Sequence, residues 1–89
     1  MIMAASSKWD SALRVGTLLQ AHEAVRRLRP APGARPAIWR EYFQRCAEVY
    51  EHLAAIDHDH YHEALYWAGR ERQKAEEIEL PKQRNRRSA

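Results

Sequence analysis

The sequence predicts an all-α protein: a three-helix arrangement built around a long helical hairpin, followed by a basic C-terminal tail expected to be disordered. Three observations predict it. Strand formers are few, and only 3 Gly and 4 Pro punctuate the 89 residues, too few for a many-stranded fold. Apolar residues from Trp39 to Ile56 recur in alternating steps of three and four, the period of one helical face. Three of the prolines fall between Pro30 and Pro36, where they separate two helical patterns.

At this length one domain is expected, over residues 8–80, with a flexible N-terminus at 1–7 and the tail at 81–89. The first helical signal runs through Ala12, Val15, Leu18, Leu19, His22, Val25 and Leu28. Ser7, with Asp10 three residues on, can cap a start near Lys8. Gly16-Thr17 interrupts the run, and Thr17 can cap a fresh start at Leu18. Either form stops at Arg29, because a proline disfavours the helical region for the residue before it. Residues 30–36 read as a linker, and Pro36 suits the first turn of the next helix.

The second helix, residues 37–57, carries the main stripe Trp39, Tyr42, Cys46, Val49, Leu53 and Ile56. A parallel row of Phe43, Ala47, Tyr50 and Ala54 widens it. The stripe loses phase at Asp57-His58-Asp59-His60, which predicts a tight turn capped by Asp57 or Asp59. One unbroken helix is the alternative. A third helix over 60–79 is expected to turn Tyr61, Ala64, Leu65, Ala68, Arg72, Ala75 and Ile78 inward. Its far half, Arg70 to Glu79, is charged nearly all round and reads as projecting from the body or meeting a partner, supported by Arg72–Glu76 and Lys74–Glu77 pairs.

Charge is unevenly spread. Residues 1–45 hold eight cations against three carboxylates, a net of +5, while residues 46–79 hold three against nine, a net of −6. Lys82, Arg84, Arg86 and Arg87 add four cations in the tail. Such opposite-signed halves can attract one another within a chain or across two. A single cysteine excludes an intrachain disulfide. The start lacks the basic and apolar regions of a secretory signal, and no run is long enough to span a membrane, so a cytoplasmic home is expected.

Three function classes follow. The leading expectation is a non-enzymatic, regulatory protein–protein interaction module. Its middle helix carries more apolar flank than two short neighbours would cover, which points to a protein partner or a homodimer. Trp39, Tyr42, Phe43, Tyr50, Tyr66 and Trp67 are the candidate interface residues. The second is a DNA-associated accessory protein using Arg26, Arg27, Arg29, Arg35 and Arg40 together with the tail cations. The seven-residue Pro-rich linker is too long for the turn of a helix-turn-helix. The third is transition-metal binding or sensing. In a helix His58 and His62 stand four apart, as do Asp59 and Glu63. Without HExxH or paired ExxH motifs, the plainer role for these side chains is a solvated turn, and no cofactor is predicted. His22 is expected to be a core histidine with one hydrogen-bond partner, and Cys46 a small core hydrophobe. No Gly-rich phosphate loop, nucleophile elbow or catalytic carboxylate pair is readable, so an enzyme is not expected.

The segments Ala21-His22-Glu23-Ala24-Val25-Arg26-Arg27-Leu28-Arg29-Pro30 and Glu63-Ala64-Leu65-Tyr66-Trp67-Ala68-Gly69-Arg70-Glu71-Arg72 resemble those of a group of short, uncharacterised actinobacterial helical proteins. The resemblance covers most of Leu18 to Arg72. It implies a bacterial cytoplasmic origin and brings no activity, ligand or site residues with it.

Overall fold

The computed structural model describes residues 8–80. A 3-10 turn at Ala12–Arg14 leads into α1 (Leu18–Arg27), α2 (Pro36–Ile56), a second 3-10 turn at His58–His60 and α3 (Tyr61–Glu77). The fold is all-α, with no strand among the described residues. Ser7 and the tail cations lie outside them.

Of the two forms open for the first segment, the structure takes the interrupted one. Thr17 has extended backbone and its hydroxyl accepts from the Gln20 amide at 3.1 Å. Gln20 reaches back in turn and accepts from the Gly16 N–H at 3.0 Å. Thr-x-x-Gln is therefore a reciprocal cap, displaced by one residue from the usual box. Pro36 opens α2, where its missing N–H leaves no bond unmade.

The turn between α2 and α3 is present, so the two helices form a tight antiparallel hairpin. Neither aspartate caps α3. Its N-cap is His60, with no side-chain cap, and the Asp57 carboxylate instead meets His60 Nδ1 at 2.9 Å. A 3-10 turn spends those residues on chain reversal, which leaves no free carboxylate at the capping position.

The stripe of α2 is the core. Tyr42, Cys46, Ala47, Val49, Tyr50, Leu53 and Ala54 are all buried. α3 supplies Ala64, Ala68 and Ala75 against them, with Trp67 half-buried beside. The inward face of α3 thus differs from the expected one. Tyr61 and Leu65 are exposed, and Glu71 takes an inward position. Small residues on α3 let the two backbones approach, because α2 already fills the interface with bulky side chains.

The charged half of α3 does not project. It lies along α2 and is tied to it by side chains. Arg72 bonds Glu51 at 2.6 Å and Lys74 stands over the Phe43 ring at 5.4 Å, while Lys74 also meets Glu71 within α3 at 3.4 Å. These contacts replace the expected pairing of Arg72 with Glu76 and Lys74 with Glu77. Cross-helix partners offered a bond that also fastens the hairpin. The Glu41–Arg45 pair on α2 is present at 3.8 Å.

α1 and the first 3-10 turn cover the other side of α2. Ala21 and Val25 pack inward, and Trp9 stands 5.9 Å from Tyr42, ring to ring.

Candidate interaction surface

The residues chosen from sequence as a partner interface divide into three groups. Tyr42 and Tyr50 are 6% and 2% exposed, so they belong to the chain's own interior. The expectation that two short neighbours would leave the flank of α2 uncovered is corrected accordingly: α1 takes one side of it and the small-residue face of α3 the other. Trp39, Phe43 and Trp67 are half-buried. Only Tyr66, 60% exposed, is an open aromatic of that set.

Both buried tyrosines have assigned work. The Tyr42 hydroxyl donates to the Val25 carbonyl at 2.7 Å. The Tyr50 hydroxyl is hydrogen-bonded to His22 Nδ1, also at 2.7 Å. His22 in turn meets the Trp67 ring edge-on at 4.9 Å. Thus His22 has the one hydrogen-bond partner that its position on the α1 stripe implied, although it is half-buried rather than enclosed. Burial raises both phenol pKa values above the ordinary tyrosine range. Cys46 is fully enclosed, and burial pushes its thiol up to about 12. A thiol so protonated is a poor nucleophile, in keeping with a packing role.

The open surface lies on the outside of α3. Tyr61, Leu65 and Tyr66 are exposed there, and Ile56 is exposed at the end of α2. Leu65, Tyr66, Gly69, Arg70 and Gln73 line a shallow open depression. A Cβ at Gly69 would meet nothing within 4 Å, and its backbone is not in the positive-φ region. Nothing in the chain itself therefore requires glycine at this point of a helix, where it costs about 1 kcal/mol relative to alanine. Tyr66 was visible in the sequence. Gly69 was also visible, and a glycine in mid-helix with no turn to make was the missed signal.

The basic candidates gather at the opposite end of the hairpin from the His-rich turn. Arg26 and Arg27 are exposed at the end of α1. Arg29 stands over the Trp39 ring at 5.1 Å, and Arg35 is the N-cap of α2. Arg40 is half-buried, and its Nε is enclosed with no hydrogen-bond partner.

His58, His62, Asp59 and Glu63 are exposed around the second turn. Among the described residues, no three His, Cys, Asp or Glu side chains converge on a point where a metal ion could sit. Nor is any helix among them long and apolar enough to cross a membrane. Comparison with known proteins adds no relative: no family model, curated protein or solved structure matches this chain.

Proposed function

We propose that this protein is a non-enzymatic helical interaction module whose binding surface is the outer face of α3, centred on Tyr66 and Gly69. The observation that carries this reading is the pairing of an exposed tyrosine with an unexplained helical glycine. Tyr66 is 60% exposed, and Gly69 leaves open space beside it. An aromatic ring with a stiff side chain is a strong anchor, and a glycine permits close approach of another backbone. The deep residues of the chain are committed to holding the helices together, which leaves this face free for recognition.

The test is capture of binding proteins from the native host by the full chain, compared with Tyr66→Ala and Leu65→Glu variants. Both positions are exposed, so helical content by circular dichroism is expected to be unchanged. Loss of the retained proteins in both variants supports the reading. Undiminished capture by both overturns it.

A second reading has one observation in its favour. Arg26, Arg27, Arg29, Arg35 and Arg40 come together at one end of the molecule, and α3 ends at that same end, where Lys74 reaches Phe43. This arrangement suits sequence-independent contact with nucleic-acid phosphates. If only four cations met phosphates, the salt slope would be about −3.6, a loss of roughly 150-fold between 50 and 200 mM salt. Failure to retain random duplex at about 50 mM salt dismisses it.

A further inference from the structure

We infer that a groove along α1, the first 3-10 turn and the start of α2 holds a single strand of nucleic acid. Such a groove goes beyond the phosphate contacts of the second reading above, since it fixes both the place and the form of the polymer. It is a string of three adjoining recesses. The first, of about 250 Å³, is lined by Glu23, Arg26 and Arg27. The second, of about 230 Å³, shares Arg27 with the first and adds Lys8, Ser11, Ala24 and Leu28. The third, of about 120 Å³, shares Lys8 and Leu28 with the second. It adds Pro30, Ile38 and Glu41, with the buried Trp9 and Tyr42.

The deciding feature is the order recess, cation, recess, cation, recess. Arg27 is common to the first two recesses and Lys8 to the last two. A nucleic-acid strand alternates a flat base with a phosphate charge, so phosphates at Arg27 and Lys8 leave bases at the recesses between them. Lys8, Arg26 and Arg27 are exposed and form no ion pair among the described residues, which leaves their charge for an anion. Leu28, Pro30 and Ile38 offer apolar flank for base faces. The two carboxylates, Glu23 and Glu41, line only the outer recesses, where each can accept from a base amino group. Next in the chain to Pro30 and Ile38, the Arg29 guanidinium lies over the Trp39 ring at 5.1 Å, and a base can stack on a guanidinium plane held in this way. Duplex bases are stacked and paired inside the helix and cannot enter such recesses. An acidic peptide matches the cations, but its carboxylate side chains lack the flat apolar faces.

Fluorescence anisotropy of a labelled oligothymidylate of about 12 nucleotides tests the full chain at about 50 mM salt. It is expected to bind about tenfold or more tightly than random duplex of the same length. With Lys8, Arg26 and Arg27 each on one phosphate, the salt slope is expected to be about −2. Arg27→Gln is expected to weaken single-strand binding about tenfold, and Ile38→Ala about fivefold, with helical content unchanged because both residues are exposed. Ile38→Ala alters no charge, so its loss reads the recess itself. Arg35→Gln removes a cation that lines none of the recesses and is expected to weaken binding far less. Duplex bound as tightly as the single strand, no effect of Ile38→Ala, or equal losses from Arg35→Gln and Arg27→Gln would each overturn the groove and leave the phosphate reading standing. Polyglutamate bound as tightly as the oligonucleotide overturns it in favour of an acidic peptide. Binding of none of these polyanions removes the groove and the phosphate reading together.

Discussion

The Tyr42 hydroxyl reaches across the linker to the Val25 carbonyl, 2.7 Å away and 17 residues earlier in the chain. That carbonyl also accepts the Leu28 amide at 3.2 Å, so one phenol reinforces the last turn of α1 and fastens it to α2 together. Tyr42→Phe keeps the ring contacts with Trp9 and Trp39 and removes the hydroxyl that makes this bond. A loss of about 1 kcal/mol in unfolding free energy is expected, read from the urea midpoint. No change in midpoint would show that the bond contributes nothing net.

Alkaline pH tests the same two helices. Tyr42 and Tyr50 have phenol pKa values raised by burial in the folded chain. Above the unfolded value of about 10, the unfolded chain binds fewer protons than the folded one. The stabilisation is therefore present below that pH and is lost as pH rises toward the folded values. Absorbance titration is expected to show these two phenols ionising late and together with loss of helix. Ionisation of both at the ordinary position, with helix intact, would contradict their burial.

Cys46 is fully enclosed and its thiol is pushed up to about 12. Its reaction with a disulfide reagent at neutral pH is expected to proceed at the rate of structural opening and to become immediate in denaturant. Cys46→Ser places a hydroxyl in the same apolar position and is expected to cost about 1–3 kcal/mol. Rapid labelling of the native chain would place the thiol at the surface.

Gly69→Ala separates the chain's own stability from its association. With nothing within 4 Å of the added methyl, the dilute monomer is expected to gain about 1 kcal/mol from helix propensity. The same methyl fills the gap, so association is expected to weaken. Thermal unfolding at low concentration reads the first, and capture of binding proteins the second. A variant destabilised as a monomer would show that the space at Gly69 is needed within one chain.

Much of this was legible in the sequence. The steps from Trp39 to Leu53 gave α2 its length and its buried face, and the loss of phase at Asp57 marked the reversal. The inward face of α3 was harder to see, for a physical reason. Periodicity joined Tyr61, Leu65 and Arg72, which are exposed, to Ala64, Ala68 and Ala75, which are buried as expected. A helix lying against a bulky stripe needs small residues inward, and its larger ones then fall outside. Glu71 misled in the same way. Its carboxylate keeps Lys74 as a partner at 3.4 Å, while the residue itself is only 8% exposed. For the partner surface, an aromatic stripe in sequence cannot say which rings the chain keeps for itself. Tyr42 and Tyr50 were kept because each hydroxyl finds an acceptor or donor on α1.

The Thr17–Gln20 cap has its own measure. Thr17→Ala leaves the Gln20 amide without its side-chain acceptor and is expected to cost about 1 kcal/mol. Gln20→Ala frees only the Gly16 N–H, which is exposed, and is expected to cost less. The urea midpoints of the two variants rank them, and the reverse order would remove the cap from any account of where α1 starts.

α1 is a ten-residue helix that meets the hairpin through Ala21, Val25 and two tyrosine hydroxyls, whereas α2 and α3 hold each other along their full length. So uneven an attachment gives the molecule two levels of opening. Amide protons of α1 are expected to exchange through a partial release that spares the hairpin, and those of mid-α2 only through global unfolding. In the released form the greasy side of α2 lies bare for an instant, so the rate at which α1 lets go sets how often the interior is on offer to the outside.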